Sequence, residues 1–485
     1  MSALFPLFGA AIPEIILAIA GVGLILLGVF REQDGARLVS HLTVVVLVLV
    51  GILVVGEGHD RQMVFNGMFQ TDAFAVFVKV LVIVGAALSI MLSLGYLQIE
   101  KMDRFEFPIL ILFATLGMMM MISANDLISL FVGMELQGLS LYVLAAFHRE
   151  NARSSEAGLK YFVLGALSTG LMLYGISLVY GFAGTTNFDN LKTMVVPADF
   201  HKIGILIGLV FVLAGAAFKV AAVPFHMWTP DVYEGAPTPV TSFFAGAAKI
   251  SAIGVLVRIL CEPFLQFTSD WTQIVIAMSL GSVVIGSFAA IRQTNIKRLL
   301  AYSSIAHTGY GMIGLAAGNA QGARGMLIYL AIYVVMNAGA FAVVLGMRRQ
   351  GMLVENVSDL AGFAKSHPLL AAAMALFMLS MAGIPPSPGF FGKLYVFMAA
   401  VEVRLYVVVV PALLASVVGA YYYLNIIKVM YFDKPDPNQQ ALDVMENDSI
   451  AWVLVCSTLF VLLFNFFPAA LVSKADVAAR ALFMG

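Results

Sequence analysis

Charge is scarce in this chain: of 485 residues only 11% are Asp, Glu, Lys or Arg, where an ordinary soluble domain carries about 25%. A surface in water has to be covered by polar side chains, and a composition that is 61% hydrophobic leaves too few of them. A soluble enzyme is excluded. An excess of one sign is lacking as well, since 27 basic residues against 28 acidic ones leave a net charge of -1. With no basic field, nucleic acid is excluded as a partner. Cysteine is almost absent. Cys261 and Cys456 stand alone without a CxxC pair, which excludes a disulfide framework, a zinc site and a set of iron-sulfur ligands. Any redox cofactor must sit elsewhere than on these cysteines. The basic start of a secretory signal is missing too, because the first positive charge is Arg31. The segment Ala18-Ile19-Ala20 then reads as part of a retained span rather than a cleavage site.

What the chain has is long apolar runs. At about 20 apolar residues per crossing, they predict fourteen transmembrane helices of an all-α polytopic protein. The expected spans are 6–30, 39–57, 73–96, 107–123, 126–147, 158–182, 203–223, 237–260, 271–291, 298–317, 325–347, 368–403, 405–431 and 449–471. The longest hydrophilic pieces, 183–202 and 432–448, are too short for a folded domain. Basic residues crowd the odd-numbered loops, for example Arg31, Arg37, Lys101, Arg104, Arg149, Arg153, Arg292, Lys297 and Arg298. By the positive-inside rule those loops are cytoplasmic, and an even number of spans puts both termini on the opposite side.

Six basic residues fall inside expected spans: Lys79, Lys160, Lys219, Lys249, Arg258 and Lys393. Each costs roughly 2.5 to 3.5 kcal/mol at mid-membrane. Lys160 and Arg258 lie near helix ends, where a long side chain can snorkel to the interface, so snorkelling and a functional role stand equal for both, and Lys79, about one and a half turns in, is ambiguous between the same two readings. Lys219, Lys249 and Lys393 sit near helix centres or breaks and are candidates for function. Glu135 is the one acidic residue deep in a mid-chain span, and Lys219 is its expected cation. Such a pair holds the lysine protonated, and loosening it frees a proton, which is a device for pumping. A static ion pair that orients two helices is the plainer alternative. Asp126 and Glu14 lie near span ends and are read as structural.

Two spans are broken. Pro224 lacks a donor for the carbonyl of Val220, just after Lys219, and the segment Met381 to Phe390 carries Pro385, Pro386 and Pro388 ahead of Lys393. Irregular backbone at membrane depth is tolerated where it is buried in protein or lines water. Carbonyls open to a cavity are expected at both breaks, and paired breaks are typical of repeated transporter units. His226, past the first break, and His307 are candidate proton relays or helix-packing histidines.

Four segments carry a likeness to a known family. They are Phe131 to Leu136, the run Phe218 to Pro237 with its Pro-Phe-His-x-Trp-x-Pro-Asp core, Gln293 to Ser304, and Gly383 to Lys393. The chain resembles the antiporter-like membrane subunits shared by respiratory complex I and multisubunit sodium/proton antiporters. Lysine rather than glutamate at 393, and an end at Gly485 without a long lateral helix, resemble one of the complex I subunits in particular. The resemblance implies two inverted repeats of five helices, 107–260 and 261–431, each with a broken helix, flanked by 1–106 and 432–485. It assigns Glu135 and Lys219 as the modulating pair, Lys249 as the connecting lysine and Lys393 as the residue of the second half-channel, with Pro224, His226, His307 and Pro385 in support. It also implies a proton-moving subunit of the bacterial inner membrane, among other membrane and peripheral subunits and lipids. NADH, flavin mononucleotide, iron-sulfur clusters and quinone would be bound by those other subunits, and none by this chain.

Overall fold

Pro13 in the first turn of α1 (Ile12–Val29) costs nothing, because the donor it lacks would have no partner there. From that start the chain runs through α2 (Gly35–Gly56) and α3 (Ala73–Ile99), the latter capped by the Asp72 carboxylate on the Ala75 amide. Next come α4 (Glu106–Ile122), α5 (Leu127–Ala145), α6 (Ala152–Ala183) and α7 (Phe200–Val220). A short helix α8 (Thr229–Gly235) leads into α9 (Thr238–Cys261), which contains a π-helical turn at Phe244–Ala248. The second half holds α10 (Thr268–Ala290), α11 (Ile296–Ala316), α12 (Ala320–Gly346), the broken pair α13 (Pro368–Ala382) and α14 (Pro388–Glu402), and α15 (Tyr406–Phe432). Two helices close the chain, α16 (Asp448–Leu463) and α17 (Ala469–Met484). This computed structural model describes residues 9–31, 35–195, 200–435, 442–444 and 447–484; the expected start of the first span at 6 and the terminal Gly485 lie outside them.

Among the described residues ten helices are long and apolar enough to cross a membrane, and α4, α13 and α16 are shorter apolar helices. α11 is not one of the ten although it is 21 residues long, because Lys297, Arg298, Ser303, Ser304, His307 and Thr308 dilute its apolar content. It is nevertheless buried along almost its whole length. α9 is wholly buried and α12 nearly so, which puts them at the centre of the bundle, while α1, α2 and α6 expose apolar side chains at the rim.

The structure departs from the expected elements in three places. The last expected span, 449–471, stops at Leu463, and after Pro468 the chain turns into α17, which packs on α12 and α3. The chain is not purely helical, since strand β1 (Gln62–Val64) pairs with β2 (Phe69–Thr71), and Met347–Arg349 pairs with Met352–Leu353 and Asp443–Val444. The first hairpin turns through Phe65, Asn66 and Gly67, all at positive φ. Finally, Lys79 and Arg258 do not snorkel. Lys79 is fully buried in a 2.7 Å ion pair with Glu14, and Arg258 is fully buried between Asp72 and Glu262. Lys160, by contrast, stays 42% exposed and pairs with Glu156 and Asp231.

Candidate functional site

Lys219 sits in the last turn of α7, where the helix stops at Val220 and the chain bends through Ala221 at φ 59° and a cis Val223–Pro224 bond. The carbonyls this break releases do not open to water. Trp228 Nε1 donates to Phe218 O at 3.0 Å, Ala222 N to Ala217 O at 2.9 Å, and Thr308 Oγ1, from α11, to Val220 O at 3.2 Å. The expectation of exposed carbonyls here is corrected by those donors, which the second half of the chain partly supplies. The Val223 amide is likewise held by Ser282 Oγ of α10 at 2.9 Å.

Glu135 and Lys219 do not touch. No ion pair within 4.0 Å joins them among the described residues; Glu135 Oε1 instead accepts from Thr169 Oγ1 at 2.9 Å, and Lys219 Nζ donates to Tyr142 Oη at 3.4 Å. Lys219 also lies over the Tyr142 ring, 5.4 Å from its centroid. Lys219 is buried and Glu135 half-buried, on an α5 face whose neighbours Ile128, Val132, Leu139 and Val143 point out of the bundle.

Lys249 follows directly on the π turn of α9 and is buried, its Nζ donating to both the carbonyl (3.0 Å) and the hydroxyl of Ser304 on α11. From there α11 carries polar groups inward. Thr308 donates to Ser304 O at 3.0 Å, and His307 Nδ1 and Nε2 contact the hydroxyls of Tyr329 and Tyr423, the latter at 2.9 Å and itself bonded to Ser303. The Tyr310 ring stands between His307 and Lys393, 6.2 Å from the imidazole and 4.7 Å from the ammonium. Lys393 is buried on α14 and donates to Ala382 O at 2.8 Å and Ser416 Oγ at 2.9 Å. The carbonyl at 382, expected to face water, is thus taken by the lysine itself, folded back across the break that holds Pro385. Each of the four expected charged residues is thus bound to a hydroxyl, Glu135 to Thr169, Lys219 to Tyr142, Lys249 to Ser304 and Lys393 to Ser416, while His307 contacts the hydroxyls of Tyr329 and Tyr423. Those hydroxyls carried no sequence signal, since Tyr, Thr and Ser are ordinary in spans.

His226 takes part in none of these hydrogen bonds. It is half-buried beyond the break, and burial pushes its imidazole below the ordinary value. Nearby, Asp231 is bound by Lys160 Nζ (2.8 Å) of α6 and Arg298 Nη1 (2.6 Å) of α11, and Arg298 also holds Glu234 at 3.0 Å. Burial alone would raise the Asp231 carboxyl, but the hydrogen bonds from Lys160 and Arg298 outweigh it and hold it below the ordinary carboxylate value. Among the described residues no cluster of His, Cys, Asp and Glu is arranged to hold a metal ion.

Residues 124–419 match the family described as NADH:quinone oxidoreductase/Mrp antiporter, transmembrane. A relative from Paramagnetospirillum magneticum, NADH-quinone oxidoreductase subunit N, is 56% identical over 476 residues, 97% of each chain. Among solved structures, a chain of respiratory complex I from Thermus thermophilus with bound aureothin superposes with a TM-score of 0.81 at 32% identity, covering 95% of this chain and 98% of that one. A chain of the Mrp complex from Dietzia sp. DQ12-45-1b superposes with a TM-score of 0.85 at 21% identity over 97% of both, a likeness of fold alone. With most of its length inside the family match and a relative identical at more than half of the aligned positions, the chain belongs to the NADH:quinone oxidoreductase/Mrp antiporter transmembrane family, beside its subunit N members.

Proposed function

We propose that this chain is a proton-translocating membrane subunit of an NADH:quinone oxidoreductase, moving protons while other subunits oxidise NADH and reduce quinone. The observation that carries the reading is the set of charged groups inside a membrane bundle, half-buried Glu135 and buried Lys219, Lys249 and Lys393, each hydrogen-bonded to a hydroxyl. Glu135 and Lys219 modulate, Lys249 connects, and Lys393 serves the second half, with His307 between the two. We read fourteen crossings, taking α11 and the shorter apolar helices as spans, with α4 to α9 and α10 to α15 as inverted repeats around the two breaks. The subunit lies in the bacterial inner membrane with both termini outside the cytoplasm, against neighbouring antiporter-like subunits. Flavin, iron-sulfur clusters and quinone belong to the partner subunits.

The test uses the assembled complex in vesicles with a pH-sensitive dye. Lys219→Ala and Glu135→Ala are expected to slow proton uptake roughly tenfold or more while the complex still assembles; wild-type pumping by both refutes the relay. Lys393→Arg keeps the charge but locks its proton, because guanidinium does not deprotonate in proteins. It is expected to assemble and pump poorly, whereas a subunit whose charges only pack helices would tolerate it. A sodium/proton antiporter subunit would share this fold, and co-purification without flavin and iron would favour that alternative.

A further inference from the structure

The carboxylate and the ammonium of the modulating pair are each bound, but not to each other. Thr169 Oγ1 donates to Glu135 Oε1 at 2.9 Å, and Lys219 Nζ donates to Tyr142 Oη at 3.4 Å. The two intermediates come together at Gly165, whose carbonyl accepts from Thr169 Oγ1 at 3.0 Å and whose added Cβ would lie 2.1 Å from Tyr142 Oη. Three spans build this bridge: Glu135 and Tyr142 are on α5, Thr169 on α6 and Lys219 on α7.

Room for it is made by glycine. A Cβ on Gly138 would come within 2.9 Å of Lys219 Nζ and 3.4 Å of Tyr142 Oη, and one on Gly165 within 2.1 Å of Tyr142 Oη. The Tyr142 ring is held edge-on by Tyr161 at 4.8 Å and Phe162 at 5.7 Å. A tyrosine whose hydroxyl only filled space would not need two bare backbones around its tip. Every donor in the bridge can point one way, from Lys219 through Tyr142 and Thr169 to Glu135.

Resting on the function proposed above, we propose that Tyr142 and Thr169 form a hydroxyl bridge through which Lys219 and Glu135 exchange a proton. The step balances within the four groups. The Lys219 ammonium gives one proton to Tyr142 Oη as Tyr142 gives its own to Thr169 and Thr169 gives its own to Glu135; one ammonium becomes an amine and one carboxylate becomes a carboxylic acid. The ion pair is thereby neutralised, and reversing the step restores it.

The experiment again uses the complete complex in vesicles, with Tyr142→Phe, Thr169→Val and the double variant. Phenylalanine keeps the ring contacts, so assembly is expected to hold. Each single variant is expected to lower the pumping rate roughly tenfold, and the double variant no further than the worse single one, because the two act as one path. Gly165→Ala, which displaces the hydroxyl without removing it, should lose as much. Gly170→Ala on the same helix, with nothing within 4 Å of its added carbon, should lose nothing. Infrared difference spectra give a readout independent of rate: a protonated-carboxyl band abolished by Glu135→Gln should appear during turnover and be missing in Tyr142→Phe. Wild-type pumping by Tyr142→Phe, additive losses in the double variant, or persistence of that band in Tyr142→Phe overturns the bridge. If Lys219→Ala still fails in those circumstances, the relay stands and only the bridge falls; if Lys219→Ala also pumps normally, both fall.

Discussion

A lysine one and a half turns inside a span can reach water only if nothing covers it, and at Lys79 something does. Its ammonium is enclosed by Glu14 at 2.7 Å and by the Phe69 ring at 5.2 Å, with β2 folded over the helix start. Removing one partner of a buried pair leaves the other charge unpaired, which costs about 3 to 5 kcal/mol. Lys79→Ala is therefore expected to destabilise the subunit by that order, with a lower denaturation temperature and poor assembly, while Lys79→Ala combined with Glu14→Ala recovers much of the loss. Equal instability of the single and double variants would show that the pair is not what the helices need. Depth along a helix was legible in the sequence, whereas the cover was not, because Glu14 and Phe69 come from other elements. The same holds for Glu135 and Lys219: their types and depths marked them, but the hydroxyls that separate them depend on how α5, α6 and α7 pack.

At the scale of the element, that packing rests on small residues. A Cβ on Gly117 of α4 would meet the backbone of α5, 2.5 Å from Gln137 N and 2.7 Å from Gly133 O. Backbone cannot move aside as a side-chain tip can, so the helices would have to separate and carry Glu135 with them. Gly117→Ala is expected to cost about 1 to 3 kcal/mol by overpacking and to reduce pumping, read by thermal denaturation and the vesicle assay; Gly170→Ala serves as the neutral comparison. Helix positions were legible because each apolar run is long and bounded by charge or proline. α17 was not, since Ala475, Ala478, Ala479 and Leu482 make a small apolar stripe among charged neighbours that reads as a tail. The breaks were legible from their prolines, but not the partners of their carbonyls, which are remote in sequence.

At the scale of the whole molecule, Asp231 ties the halves together, binding Lys160 from one and Arg298 from the other. Its lowered pKa means that the folded state holds this proton less tightly than the unfolded chain does. The tie is therefore fully present above the ordinary carboxylate value and is lost as pH falls through the lowered one. Asp231→Asn is expected to lower the denaturation temperature at pH 7, with the gap to wild type closing toward pH 3; a gap that stays constant would exclude the linkage. A deeper tie lies at the first break, where Thr308 of α11 completes the Val220 carbonyl and Ser282 of α10 completes the Val223 amide. The two halves are not autonomous modules. The bend that ends α7 beside Lys219 has two of its hydrogen bonds only when residues some 60 to 90 positions later have arrived, so a first half made alone would hold its lysine on an unfinished hinge.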